Sequence, residues 1–321
     1  MITTISVGSG ILGYRLEAEK AYCEVIVKRV KAGHEPAQDG RDAKLSPSRQ
    51  RNLARYNLDE SLKARNEREI YSNILHYYHL VKNYCQQQTW QDQRAELRQE
   101  RLRLNLSRST ARAINLAVRW ATYDQHLFAA LQQDHFSLTA ASRRGLSQWQ
   151  RALAIPNRRV PPAELLRSAR KVNYTRLWRR LNERDWQAAN YETHDCLLAA
   201  SGEQDRSLQL IDVERIADVD LQTIDSLWEE YSIDSNGVSR FSFSIQLKLW
   251  QAASKNGSVD VEEFSKRVGW RRIHSWINYE ALDYSLEAER GHLPALPYMG
   301  WWCWVGGMAA IMNRIKLINE N

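Results

Sequence analysis

From Leu62 to Leu106 the chain contains neither proline nor glycine, and Glu, Arg, Gln, Lys and Leu dominate it. Such a stretch has few options besides helix, because its residues lose little rotamer freedom there and nothing interrupts the hydrogen-bond ladder. Ile70, Ile74, Leu75, Tyr78 and Val81 supply a partial apolar stripe at helical spacing. From Gln91 to Leu106, Glu96 and Glu100 alternate with Arg94, Arg98 and Arg101. That pattern predicts a solvated, ion-laced helix forming half of a helical hairpin. Residues 31–51 are polar and contain Gly and Pro, which predicts a loop or linker.

A chain of 321 residues has room for two domains. Pro156, Pro161 and Pro162 gather with Arg158 and Arg159, and each proline bars helix from the residue before it. A module boundary is therefore expected between about 155 and 172, with a basic, mostly helical module over 1–165. Charge divides at the same place. Residues 1–170 hold 28 Lys and Arg against 16 Asp and Glu (+12), residues 171–321 hold 17 against 22 (−5), and the two sum to the overall +7. Two halves of opposite sign suggest different partners.

The second half also reads as helical. Asp220 is a candidate cap for a helix whose apolar face is Leu221, Ile224, Leu227, Trp228 and Tyr231. Phe243, Leu247 and Trp250 form one further stripe, and Trp186, Ala189, Thr193 and Leu197 form another. Residues 231–239 have turn composition. Gly291, Pro294 and Pro297 keep 290–300 irregular, and a last helix is expected over about 308–317.

Several function classes find no support. Four widely spaced cysteines argue against a zinc site or a disulfide framework and fit a reducing cytosol. No basic region precedes an apolar stretch at the start, and no apolar run is long enough to span a bilayer, so a cytoplasmic protein is expected. No nucleophile motif or His–carboxylate pairing suggests catalysis. The stretch 254–264 is spaced like a calcium loop, but its first ligand position falls on Ala252, so no metal site is expected. The arginines of 94–112 are partly neutralised by neighbouring acids, which disfavours nucleic acid as a partner. The segment Gly300-Trp301-Trp302-Cys303-Trp304 is less ordinary. Its indoles cannot all face one helix core, so it either lines a site for a flat ligand or contacts the other module. Arg290, His292 and Arg314 flank it and suit ligand carboxylates.

Taken in order, the motifs W-x-x-A-N-x-E-T (186–193), D-L-x-x-I-D-x-L-W-x-x-Y-S (220–232), R-F-S-F-S-I-Q (240–246), V-G-W (268–270) and G-H-L-P (291–294) resemble the Genomes Uncoupled 4 domain over about residues 172–317. The resemblance implies an all-α fold, with a cupped helical domain following the separate helical N-terminal module. It implies non-catalytic binding of a tetrapyrrole, protoporphyrin IX or its magnesium derivative, with bilins also admitted. It implies a regulatory partnership with the large subunit of magnesium chelatase in chlorophyll synthesis in an oxygenic phototroph such as a cyanobacterium, and leaves peripheral membrane contact open. Carried onto this chain, the family's palm falls on Phe241, Phe243, Gln246, Trp250, Val268, Trp270, His292, Leu293, Trp301 and Trp302. Arg271 and Arg314, with Arg240 and Arg272, stand at the rim for the propionates. Three departures stand out: Asn190 where the family has Asp, Ser242 where it has Gly, and an insertion over 233–238. A scaffold that holds no pigment, or nucleic-acid binding through the basic half, are the alternative readings.

Overall fold

The computed structural model describes residues 2–38, 45–56, 58–203, 210–255, 258–272, 275–296 and 304–320. Among these the protein is all-α: thirteen helices, and only two hairpins of two-residue strands. The chain divides into two compact units, residues 1–129 with 139–158, and residues 130–138 with 159–321.

In the first unit the long helix α1 (Ile2–Lys31) packs along α3 (Glu60–Gln86). Tyr14, Ala18, Tyr22, Ile26 and Val30 of α1 are buried, as are Ile70, Ile74, Tyr77, Val81 and Cys85 of α3. Both sets follow the helical repeat, so each helix buries one face. The carboxylate of Glu67 accepts hydrogen bonds from the hydroxyls of Tyr14 and Tyr22. A Cβ on Gly13 would sit 2.9 Å from the ring of Tyr56, so glycine there permits close approach. The expected loop over 31–51 ends early: α2 (Pro47–Ala54) is helical, with Ser46 accepting from the Arg49 amide and proline in the first turn. The expected hairpin is formed by α3 and α4 (Arg94–Arg103). The helices α5 (Arg108–Gln133), whose last turn from residue 130 is counted with the second unit, and α6 (Ala140–Ala152) follow.

The second unit is built from α7 (Thr175–Asn182), α8 (Trp186–Ser201), α9 (Leu210–Arg215), α10 (Asp218–Tyr231), α11 (Phe243–Ala252), α12 (Val261–Arg267) and α13 (Trp304–Glu320). Asp185 caps α8, and Gly202 closes it in the left-handed conformation, φ +87°. The predicted face of α10 holds: Leu221, Ile224, Leu227 and Trp228 are fully buried. Trp228 stacks near Trp186 at 6.1 Å and donates its indole N–H to Thr193 Oγ1 at 2.9 Å. Asp220 is not the cap of α10. It lies in the first turn, fully buried, and accepts from Ser168 Oγ (2.6 Å), the Ala169 amide (3.1 Å) and the Tyr174 hydroxyl (2.7 Å). The turn over 231–239 is a small loop whose amides at Asn236 and Val238 donate to the Asp234 carboxylate. Ser242 caps α11 from an extended backbone, accepting from the Ile245 amide at 3.1 Å. The strands β1 (Ser254–Lys255) and β2 (Ser258–Val259) pair ahead of Asp260, which caps α12. The strands β3 (Arg271–Arg272) and β4 (Ser275–Trp276) pair next. The last helix starts four residues earlier and ends three later than its apolar pattern suggests, and packs against α9, α10 and α11.

Candidate ligand-binding site

Packing among the apolar side chains of α8, α10, α11 and α12 decides where the aromatic rings lie. Phe241 and Phe243 flank the capping residue of α11, and both are completely buried. Phe241 meets Trp186 edge-on at 5.6 Å and Trp228 at 6.4 Å. Phe264 lies between Trp250 (5.0 Å) and Trp270 (5.7 Å), again edge to face. Edge-to-face packing of this kind fills an interior, since each ring spends its face on a neighbour's edge. Of the residues on which the resemblance places the palm, Phe241, Phe243, Val268, Trp270 and Leu293 are core, and Trp250 is nearly so.

The polar members of the predicted set act on backbone. The amide of Gln246 donates to the carbonyls of Gly291 (2.9 Å) and Pro294 (3.0 Å). The Trp270 indole N–H donates to the His292 carbonyl at 2.7 Å. His292 Nδ1 lies 2.7 Å from the Val268 carbonyl, and burial pushes the imidazolium below its ordinary pKa. A neutral ring donating from Nδ1 satisfies that geometry and leaves Nε2 buried and unbonded. From the other side, Asn190 Oδ1 accepts from the Ala295 amide at 2.6 Å and its Nδ2 donates to the Tyr279 hydroxyl at 3.1 Å. Residues 291–296 are thus held to the core from α8, α11 and the turn after α12. Sequence reading missed Asn190 as an anchor. Its signal was visible as an amide four residues after Trp186 and three before Thr193, on the face that α8 buries.

The arginines are spent as well. Arg314 donates to the carbonyls of Val213 (3.1 Å), Glu214 (3.2 Å) and Ile216 (2.7 Å) and pairs with Asp218. It clamps the junction of α9 and α10. Arg240 donates to the Ala288 carbonyl at 2.7 Å. Arg271 lies over the Trp276 ring at 5.9 Å and 3.6 Å from Glu262. Arg272 is exposed. Trp301 and Trp302 lie outside the described residues.

Two surface features remain. Tyr191, 50% exposed, contacts Tyr279 at 5.1 Å, and Tyr279 contacts Tyr284 at 5.7 Å. Through Tyr279 and Asn190 this cluster is tied to Ala295. Burial pushes the Tyr279 hydroxyl up to about 12. Separately, a cleft of about 330 Å³ opens between α10 and the end of α13. Val219, Thr223, Ile315 and Ile318 line it, together with the carboxylates of Glu164, Asp225 and Glu229. Burial raises the Asp225 carboxyl, against the pull of hydrogen bonds from Ser244. Arg167 also lines it, and three carboxyl groups against one guanidinium disfavour a ligand that carries propionates. Among the described residues no group of three or more His, Cys, Asp or Glu is placed to hold a metal ion, and no helix is long and apolar enough to cross a membrane.

Comparison with known proteins places the second unit. A Ycf53-like protein of Synechocystis sp. is 35% identical over 138 residues, which are 41% of this chain and 54% of that protein. The uncharacterized protein ycf53 of Pyropia yezoensis is 32% identical over 133 residues, 40% of this chain and 52% of its own. The chain thus spans about half the length of the curated relatives it matches. The ligand-free structure of Arabidopsis thaliana GUN4 matches with a TM-score of 0.35 at 24% identity, covering 43% of this chain and 90% of that one. The family model described as GUN4-like matches residues 167–308, and that segment of the chain is a domain of the GUN4-like family.

Proposed function

We propose that the second unit binds a tetrapyrrole without covalent attachment and serves as a non-catalytic accessory of magnesium chelatase, the porphyrin being held rather than altered. The observation that carries this reading is the match of residues 167–308 to the GUN4-like family. The ligand is a protoporphyrin, free or with magnesium, or a bilin. Its position is beside residues 291–296, with Trp301 and Trp302 as stacking partners and the Tyr191 ring as an accessible neighbour. Three features support this placement. The segment is anchored by hydrogen bonds from Gln246 and to Asn190. An aromatic cluster reaches the surface next to it. The buried rings beneath form a rigid support, which lowers the ordering cost of binding.

The test is a titration of the full chain with protoporphyrin IX, Mg-protoporphyrin IX and biliverdin, followed by tryptophan quenching and the Soret or long-wavelength band. Saturable binding is expected, and Trp302→Ala should weaken it about tenfold, the equivalent of one lost stacking contact. No saturation at micromolar pigment would refute the reading. One observation favours a second reading, a scaffold that holds no pigment: the phenyl and indole rings of α11 and α12 are interior, so the described surface near them is less aromatic than the sequence implies.

A further inference from the structure

The first unit carries a surface that the tetrapyrrole reading leaves unused. On α1, Tyr14 and Ala18 face inward, whereas Leu12 and Leu16, one turn apart, are 61% and 45% exposed. They form one wall of a groove whose floor is Ile70 of α3 and whose other wall is the turn 104–107 joining α4 to α5. That turn is fixed from three sides. Asn73 Nδ2 donates to the Leu104 carbonyl (3.2 Å), Arg101 Nη1 donates to the Leu106 carbonyl (2.8 Å), and the buried Glu19 carboxylate accepts from the Ser107 amide (2.8 Å). Asn105 takes the left-handed conformation, φ +51°, which lets the chain turn there. The groove is therefore pre-formed, and its exposed leucines are held in place with no described residue covering them.

Along the wall formed by 104–107 and its continuation the charge has one sign: residues 101–112 hold four arginines and no acid. Arg101 and Arg103 are spent on the Leu106 carbonyl and on Glu100, but Arg108 and Arg112, which follow the groove wall at helical i, i+4 spacing, are exposed and form no ion pair among the described residues. Glu19 is used by Ser107, and Glu69 by Arg15 at 2.9 Å.

We infer that this groove docks an acidic amphipathic helix of a partner protein, with one or two of its apolar side chains set between Leu16 and Leu106 and its carboxylates meeting Arg108 and Arg112. Four observations select this occupant. The groove measures about 140 Å³, enough for a side chain or two and below the ~300–1,000 Å³ of sites for drug-sized ligands. Half of the lining residues are leucine or isoleucine, and Asn73, Glu19 and Arg15 are engaged by Leu104, Ser107 and Glu69, whereas a phosphate backbone asks for converging free donors. Every element around the groove is helical, so no strand edge offers β-addition, and helix-in-groove recognition is the mode left. The surplus arginines lack acidic partners and fit a ligand of opposite sign.

The test uses the full chain and a fluorescein-labelled eighteen-residue peptide of leucine and glutamate, with leucine at helical i, i+3, i+4, i+7 spacing. An isomer of the same composition, with the leucines scattered around the helix, is the control. The patterned peptide should raise anisotropy saturably and bind at least about tenfold tighter than the control, the size of a hot-spot contribution. The exposed pair Leu12→Ala/Leu16→Ala should abolish that difference without shifting the thermal melt. Arg108→Glu/Arg112→Glu should weaken binding and flatten its salt dependence. Equal binding of the two peptides, or unchanged binding by the leucine variant, would overturn the inference. So would displacement of the peptide by phosphatidylserine vesicles or by a single-stranded oligonucleotide with the same dependence on Leu12 and Leu16, each marking a different class of partner.

Discussion

Gln246→Leu tests how the segment 291–296 is held. Gln246 is fully buried, and its amide group is the donor to both the Gly291 and Pro294 carbonyls. Leucine fills a similar volume but offers no donor. Each buried carbonyl left without a partner costs about 1–3 kcal/mol. Against this, the substitution removes the unbonded Gln246 Oε1, which returns about 1 kcal/mol. The net expectation is a loss of about 1–5 kcal/mol in the second unit, or roughly 2–20 °C in its melting temperature for a unit of this size. Urea unfolding followed by tryptophan fluorescence measures the stability, and hydrogen exchange at the Ala295 amide reports the segment itself. That amide should exchange faster in the variant, because its acceptor Asn190 stays while the flanking carbonyls are released. A stability within about 0.5 kcal/mol of the parent, with unchanged protection at Ala295, would show that the two carbonyls find water without cost and that Gln246 is not the lock described above.

Two further outcomes follow from buried polar groups. Asp220→Asn removes one of two carboxylate oxygens that receive three hydrogen bonds, from Ser168, Ala169 and Tyr174; charge-assisted bonds of this kind contribute about 1.5–3 kcal/mol each, so a loss of roughly 2–4 kcal/mol is expected in a denaturant titration. His292 gives a pH signature: its folded pKa lies below the unfolded one, so the unfolded state takes up the proton first as pH falls. Stability is then whole above about pH 6.5 and drains as pH drops toward the folded value. Urea midpoints between pH 8 and 5 should slope accordingly, and His292→Gln should flatten the slope.

What was legible in the sequence followed periodicity. The face of α10 was readable because Leu221, Ile224, Leu227 and Trp228 recur at helical spacing, and the helical character of 62–106 because it holds no proline or glycine; the break at 87–93, where Gln88 takes φ +60°, had no such signal. The fate of the aromatic rings was not readable. Phe241, Phe243 and Trp270 look alike whether they line a cleft or fill a core, since that depends on which helix faces them, and Trp228, Trp186 and Phe264 do so here. The intramolecular partners of Arg314 were not readable for a related reason. A guanidinium suits a propionate and the end of a helix equally, and the carbonyls of α9 reach it first. The helical start of α1, with Gly8, Gly10 and Gly13 among β-branched residues, runs against propensity. From Tyr14 onward the helix is buried against α3, and tertiary burial outweighs a local preference of under 1 kcal/mol per residue.

Asn190 joins the family departure to the anchoring of residues 291–296, and it can be tested by restoring the family's acid. As an amide, Asn190 plays two roles at once, accepting from the Ala295 amide and donating to the Tyr279 hydroxyl. A carboxylate can only accept, so Asn190→Asp keeps the Ala295 bond and obliges Tyr279 to rotate its proton inward. The hydroxyl can donate as well as accept, but it also shares hydrogen bonds with Tyr191 and Tyr284, so the expected cost at pH 5 is about 1 kcal/mol. The site is fully buried with only two donors, so burial should hold the new carboxyl above the ordinary aspartate range. The folded state then binds the proton more tightly than the unfolded state. Stability of the variant relative to the parent should fall as pH rises above about 4, the unfolded value, and level off beyond the folded pKa. Asn190→Leu, by contrast, strands both the Ala295 amide and its tie to Tyr279, and should cost about 2–4 kcal/mol at every pH. If the aspartate and leucine variants are equally unstable at pH 5, the bond to Ala295 contributes nothing, and the anchoring of residues 291–296 from α8 is refuted.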